Sequence, residues 1–307
     1  MASVIVVGGG RVGTYLACKM RDAGGTVVLK GPRPGTVPPY PLQHHVDALC
    51  KLHGVTYCEE YEKSGLAGQK VGYVFIACKT YDLPAVKAEM EESGIDAEVA
   101  VLIHNGIMKP LFNQSVRVVV PQSYDFAETP GVGAGVEIHV KNEEKPWVMP
   151  DSAAAKKAEE LLTTVKVASS ADPRFEYELV RKYFVNGVAN LLSIVGNCNC
   201  NGLIDNHMET MEALYDEFIA VLAKPHAEAF AMMPEDFKDV VFTALKSYGV
   251  HFPSTKMDFD AGFPLEINSL NGYILACAQE QGIDVPANKK LVEQVQEMVA
   301  SRDAAKK

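Results

Sequence analysis

No stretch of this 307-residue chain approaches the roughly 20 consecutive apolar residues that a membrane-spanning helix requires, which argues against a membrane protein. Its first residues, MASVIVVGGG, carry no basic segment and no small-residue cleavage site, so they do not read as a secretory signal. Basic residues are in the minority, 29 Lys and Arg against 39 Asp and Glu, for a formal net charge of −10. A surface of that sign argues against a nucleic-acid groove or an anionic membrane as main partner, and leaves room for a local basic pocket. Cysteine is odd in number and scattered: of seven, only Cys198 and Cys200 lie close together. A C-x-C pair without further ligands is a poor metal site, so no metal is expected, and reduced, partly buried thiols in a cytoplasmic protein are the reading that follows. There is no internal repeat and no low-complexity segment beyond the lysine-ended tail.

What is present is ample material for a core. Hydrophobic residues make up 48% and charged residues 22%, the composition of a soluble globular protein, and the length suits two domains of about 100–200 residues each. Ser3 to Val7 is a short β-branched run suited to a strand buried on both faces. It runs into Gly8-Gly9-Gly10-Arg11-Val12-Gly13, then a helical pattern through Tyr15, Leu16, Cys18 and Met20, then a second strand at Thr26 to Leu29. This is G-x-G-x-x-G between a strand and a helix, the context in which it binds dinucleotides. Gly8 permits the tight turn, Gly10 the approach of a pyrophosphate, and Gly13 the close packing of helix on strand. The helix N-terminus offers its N–H groups to the phosphates. An acid at the end of the second strand would hold a ribose 2′-hydroxyl. The chain instead reads Lys30-Gly31-Pro32-Arg33, and Lys30 and Arg33 suit a 2′-phosphate, favouring NADPH over NADH; the alternative is a pair of ordinary surface cations.

Residues 34–41 read as a proline-rich loop. Further strands are expected at His45–Leu49, Val55–Cys58, Val71–Cys78, Glu98–His104 and Val116–Val120, with a helix from Leu83 to Ser93. The segments Gly131–Gly135 and Val136–Val140 suggest hairpin strands closing the sheet, followed by a helix at Ser152–Thr163 and a strand at Val165–Ala168. Two strand ends stand out, Lys79 and Asn105-Gly106, because open α/β sheets bind ligands outside the carboxyl ends of their strands. After residue 172 the pattern becomes helical, predicting a Rossmann-type dinucleotide-binding domain over 1–172 and an all-helical substrate domain over 173–307, an α/β fold overall. Helices are expected over 175–202, 205–231 with a kink at Pro225, 235–247, 264–281 and 287–303, with a polar loop from Pro253 to Asp258.

Phe175 to Gly202 carries the most telling pattern. At about 100° per residue, Lys182, Asn186, Asn190, Ser193 and Asn197 share one narrow face, while Tyr177, Val180, Phe184, Val188, Leu191, Leu192 and Val195 fill the rest. A buried stripe of one ammonium, three amides and a hydroxyl needs partners. Either a polar ligand supplies them, or the stripe is a hydrogen-bonded seam between helices with a snorkelling lysine.

With these pieces in order, the chain resembles the ketopantoate reductase family (2-dehydropantoate 2-reductases). The likeness spans nearly the whole length: the Gly-rich loop; Lys79 in ACKTYD; Asn105-Gly106 in LIHNG; R-K-x-x-x-N-x-x-x-N at Arg181, Lys182, Asn186 and Asn190; S-x-x-x-D from Ser254 to Asp258; and E-I-x-x-x-N-G from Glu266 to Gly272. Departures lie at Asn190-Leu191-Leu192-Ser193, where the family usually has Asn-Pro-Leu-Thr, and at Leu265-Glu266-Ile267-Asn268, where it usually has Thr-Glu-Ile-Asp. The Asn201-Gly202 pair also sits one residue further along than usual.

The resemblance implies reduction of 2-dehydropantoate to (R)-pantoate with NADPH, a step toward pantothenate. Lys182 would act as general acid and Glu266 would orient the ligands and the lysine. Gly8, Gly9, Gly10, Arg11, Val12, Gly13, Lys30, Arg33, Lys79, Asn105 and Ala127 would contact the cofactor, and Lys182, Asn186, Asn190, Asn201 and Ser254 the substrate, clasped between the domains. A lysine at the carbonyl oxygen supplies both a proton and charge stabilisation in such a reduction. Three alternatives remain at this stage. One is a reductase of another branched 2-oxo acid, differing near Leu191, Pro264 and Leu265. The others are a non-catalytic NADP(H) sensor and a β-hydroxyacid dehydrogenase of the 6-phosphogluconate type. The partner expected is a small 2-oxo acid, with neither nucleic acid nor membrane; a homodimer is compatible with the sequence.

Overall fold

In a computed structural model of the protein, the described residues are 4–32, 42–109, 111–129, 131 and 135–305. They divide into two compact units, Met1–His104 with Lys109–Phe175, and Asn105–Met108 with Glu176–Lys307. Arg33, the proline-rich loop and most of the Gly131–Gly135 stretch lie outside the described residues.

The first unit runs β1 (Val4–Val7), α1 (Arg11–Asp22), β2 (Val27–Lys30), α2 (Gln43–His53), β3 (Thr56–Cys58), β4 (Lys70–Ile76), α3 (Leu83–Glu92), β5 (Asp96–Leu102) and β6 (Ser115–Arg117). These six strands form one parallel sheet in the order β3-β2-β1-β4-β5-β6. The order reverses between β1 and β4, which opens a crevice at their carboxyl ends, the usual ligand position of such sheets. Every residue of β1 and β2 is buried, as their β-branched runs require of strands covered on both faces. The unit continues with β7 (Ser123–Glu128), β8 (Val136–Lys141), β9 (Trp147–Pro150), α4 (Ala153–Thr164) and β10 (Ser169–Asp172). The Ser152 side chain caps α4 by accepting the Ala155 N–H, a standard start for an alanine-rich helix.

Three expectations fail in this unit. The run His45–Leu49 is not a strand but the middle of α2, because Val46, Leu49 and Cys50 recur at helical spacing and bury one face. β7 and β8 pair antiparallel as a separate two-stranded ribbon and do not close the main sheet. The strand expected at Val165–Ala168 forms later, as β10, and pairs in parallel with β9, which the sequence pattern did not suggest. β9 is anchored by Trp147, fully buried with its indole N–H donating to Gln122 Oε1 at 2.6 Å.

The second unit is helical: α5 (Phe175–Val195), α6 (Cys200–Asn206), α7 (Met208–Leu222), α8 (Ala227–Ala231), α9 (Phe237–Tyr248), α10 (Ser254–Asp260), α11 (Asn271–Gln281) and α12 (Pro286–Ala304). α5 is its axis. Phe184 meets the rings of Phe237, Tyr215 and Phe218 at 5.2, 5.2 and 5.6 Å. Gly187 lets α7 come close, since a Cβ there would lie 2.1 Å from the Phe218 ring. Pro225 does not kink a long helix; α7 stops at Leu222 and α8 starts afresh at Ala227, as proline's missing N–H favours. The expected polar loop at 253–258 is the helix α10. Glu266 does not open a helix; it precedes a short 3₁₀ turn at Ile267–Ser269, and α11 begins at Asn271.

Candidate functional site

The Gly-rich turn is built as its spacing requires. Gly8 has φ +110°, and a Cβ there would sit 2.2 Å from the Ala77 carbonyl oxygen, so β1 and the end of β4 can meet only over a glycine. A Cβ on Gly13 would lie 1.9 Å from the Gly8 oxygen, which forces α1 to rest on the turn through bare backbone. Gly10 differs: no atom lies within 4 Å of its would-be Cβ, it is the N-cap of α1, and no side chain caps it. No acidic residue occupies the first turn of α1. An uncapped helix N-terminus beside an open glycine suits a pyrophosphate, so these residues fit a dinucleotide. Arg11 Nε lies 3.5 Å from Asp125 of β7, and the Tyr15 and Tyr124 rings meet at 4.9 Å. The ribbon that carries Ala127 is thereby tied to the start of α1.

Lys30 behaves otherwise than expected. It is 1% exposed, its ammonium donates to the Gly31 carbonyl at 2.6 Å, pairs with Glu89 of α3 at 2.9 Å and sits 5.3 Å from the centre of the Tyr61 ring. A cation so engaged is part of the sheet's support, not the ordinary surface cation of the alternative, and a 2′-phosphate would have to compete with Glu89 for it. The reason is a partner distant in sequence: Glu89, which no local pattern connects with Lys30. Lys30→Met should destabilise the protein by about 3–5 kcal/mol, because it strands a buried carboxylate, and should leave the ratio of NADPH to NADH affinity unchanged. Denaturant unfolding and cofactor titration check the two halves of that statement.

Lys79 follows β4, partly buried, as the N-cap of a 3₁₀ turn at Thr80–Asp82. Asn105 follows β5 in the turn whose next residue, Gly106, has φ +70°. A Cβ on Gly106 would lie 2.1 Å from the Ser269 carbonyl oxygen, which instead accepts the Ile107 N–H at 2.8 Å. The Ser269 N–H in turn donates to the Glu266 carbonyl at 3.2 Å. Two segments distant in sequence, those of Asn105 and Glu266, are thus joined backbone to backbone within the second unit. The Glu266 residue is 3% exposed.

The polar stripe on α5 resolves into two parts. Asn190, 5% exposed, donates from its amide to the Thr255 hydroxyl at 3.1 Å, and Ser193 donates back to the Asn190 carbonyl at 2.7 Å. This bond is of the seam kind: Asn190 fastens α5 to α10 through its amide N–H. Asn197 lies beyond the helix, exposed, with φ +45°. Lys182 and Asn186, one turn apart, remain partly exposed. Ser254 is exposed at the start of α10, and Asn201 is exposed in α6, its N–H on the Gly249 carbonyl at 2.9 Å. Leu191 is fully buried in the helical core, so that departure from the usual motif concerns packing and not an open pocket.

Sequence reading missed the residues that hold α5 in place. The Tyr183 hydroxyl donates to the Leu270 carbonyl, and burial holds its pKa well above the usual range. Asn271, fully buried, donates to the Gly187 carbonyl at 2.9 Å and to Asn288 Oδ1 at 2.8 Å. Glu217 accepts the Ala287 and Asn288 N–H groups at 2.7 and 2.9 Å. The helix carrying Lys182 and the segment carrying Glu266 are thus fixed by one buried polar chain. Asn271→Ala should cost about 1–3 kcal/mol by stranding its partners, measurable as a lowered unfolding midpoint. Burial raises the pKa of the Cys198 thiol, against the opposing ammonium of Lys256, and pushes that of Cys200 up to about 11.

The family model described as "Ketopantoate reductase PanE/ApbA" matches residues 4–120, and its companion, "Ketopantoate reductase PanE/ApbA C terminal", matches residues 174–299. The chain belongs to the ketopantoate reductase family. Its curated relatives include the 2-dehydropantoate 2-reductases of Shigella flexneri, 33% identical, and Escherichia coli O157:H7, 32% identical, each over 118 residues. Those matches span 38% of this chain and 38% of each relative's length. The fold is that of a PanE/ApbA family ketopantoate reductase from Ralstonia eutropha JMP134, with a TM-score of 0.78 at 20% identity over 98% of this chain and 99% of that one. A D-mandelate dehydrogenase solved with NADH and anilino(oxo)acetate shares it, with a TM-score of 0.72 at 16% identity over 97% and 99%. Among the described residues, no helix of this ketopantoate reductase family member is long and apolar enough to cross a membrane.

Proposed function

We propose that the protein reduces 2-dehydropantoate to (R)-pantoate with NADPH. The observation that carries this reading is one narrow face of α5, where Lys182 and Asn186 stand one turn apart and partly exposed, beside the buried Asn190 and Ser193. Membership of a ketopantoate reductase family supplies the reaction class.

The nicotinamide supplies the hydride when bound. Lys182 donates a proton to the carbonyl oxygen and, before that, stabilises the negative charge that develops there. Asn186 donates to the substrate's polar groups one turn along the same helix, and Ser254 and Asn201 complete the carboxylate and hydroxyl contacts. Glu266, buried and acidic, orients the bound ligands and Lys182. Gly8 to Gly13 receive the pyrophosphate, with Arg11 and Val12 in the first turn of α1. Lys79, Asn105 and the backbone of Ala127 serve the nicotinamide-ribose side. The phosphorylated dinucleotide is assigned because the chain after β2 has no acid for a ribose 2′-hydroxyl; with Lys30 engaged by Glu89, Arg33 is the residue assigned to the phosphate.

The test is to incubate the protein with NADPH and a panel of 2-oxo acids and to identify products by chiral chromatography. Formation of (R)-pantoate in preference to other hydroxy acids supports the reading. NADPH binding with turnover of a different oxo acid would replace the substrate; binding without any turnover would mark a sensor.

A further inference from the structure

We infer a divalent transition-metal site in the first unit, formed by His44, His45 and Glu128. One ring nitrogen from each histidine and a carboxylate oxygen of Glu128 all lie within 4.8 Å of one another. The two histidines occupy the first turn of α2, and Glu128 ends β7, so the donors come from two elements that are separate in sequence. Neighbouring residues on a helix point about 100° apart, yet these rings meet at 3.9 Å between centroids. The Phe126 ring packs on His45 at 5.5 Å between centroids.

The hydrogen bonding of His45 leaves its ring available as a donor. His45 is 8% exposed, and among the described residues its Nδ1 has no hydrogen-bond partner. Its Nε2 lies 3.6 Å from Glu128 Oε1, beyond a good hydrogen bond. A buried imidazole normally uses both nitrogens; here one is unsatisfied and the other is loosely placed against a carboxylate. Two imidazoles and one carboxylate form a donor set for Zn²⁺ or another borderline cation, with a coordination position left for water. Metal–ligand bonds of about 2.0–2.2 Å need these donors somewhat closer together than they stand. His44 is exposed and the Glu128 side chain is 75% exposed, so both can turn inward. A bound metal would fasten the end of the β7–β8 ribbon to α2. The same ribbon meets Arg11 through Asp125, so the site would brace the strand that supports the Gly-rich turn. The cluster escapes a motif search because its histidines are adjacent and its acid is remote.

The test is calorimetric titration of metal-free protein with Zn²⁺, together with the absorption spectrum of the Co²⁺ form. The expected result is one equivalent bound per chain and a Co²⁺ spectrum without a thiolate charge-transfer band. His44→Ala and Glu128→Gln, both at exposed positions, should each weaken binding by about tenfold or more while leaving the metal-free melting temperature unchanged. Absence of binding, binding that both variants leave intact, or a thiolate band placing the metal at the cysteines would each overturn the assignment.

Discussion

Lys182→Ala should lower the turnover of 2-dehydropantoate by roughly 10²–10⁴-fold, the range expected for removal of a general acid, while NADPH binding is retained. The argument rests on where the residue stands. α5 is buried around almost its whole circumference, and Tyr183 and Asn271 tie it to the Leu270–Asn271 segment and to α12. The helix is therefore a rigid mount, and a group fixed on it costs no reorganisation when the carbonyl oxygen gains charge. Lys182→Arg should recover little, because guanidinium keeps the charge but does not give up its proton near neutral pH. Single-turnover kinetics with NADPH in excess separate the chemical step from binding. A Lys182→Ala variant that turns over at the wild-type rate would remove the lysine from the mechanism.

The second large effect is expected at Gly8. Gly8→Ala places a Cβ 2.2 Å from the Ala77 oxygen and 2.7 Å from its carbon, at a φ of +110° that L-residues rarely adopt. Both β1 and the end of β4 would have to move, and a backbone clash of this kind in a buried sheet costs about 3–5 kcal/mol. Gly8→Ala should therefore both unfold at markedly lower temperature and lose the dinucleotide. Gly10→Ala makes the control, since its Cβ enters open space and meets nothing within 4 Å. It should melt like the wild type and still bind NADPH at least tenfold more weakly, because the methyl occupies the space the pyrophosphate approaches. Thermal melts and fluorescence titration of both variants distinguish fold from binding. Wild-type affinity in Gly10→Ala would show that the phosphates pass elsewhere.

What could be read in advance follows from the range of the interactions. The Gly-rich turn was legible because Gly8 and Gly13 are demanded by contacts a few residues away or across one strand pair, and the composition of β1 and β2 states their burial directly. α2 is hidden from a five-residue window, which cannot tell a strand from one face of a helix; the helix shows only over Gln43–His53. The α5 stripe was legible as a pattern, but its meaning was not. Asn190 is satisfied by Thr255 and Lys30 by Glu89, partners that sequence spacing does not announce. Asn271 and Glu217 were invisible as a network for the same reason: each looks ordinary until α5, α7, α11 and α12 are packed together. Motif order carried the family across these gaps, since Lys182, Ser254 and Glu266 recur in the expected sequence even where single neighbours depart.

The measurement that bears most directly on the central claim is isotope transfer. NADPH stereospecifically deuterated at the nicotinamide carbon would be incubated with 2-dehydropantoate and the product examined by NMR. The account predicts deuterium at C2 of (R)-pantoate with the wild-type protein, and label that accumulates roughly 10²–10⁴-fold more slowly with Lys182→Ala. Recovery of unreacted 2-dehydropantoate from the wild type, with the dinucleotide bound and intact, would contradict it.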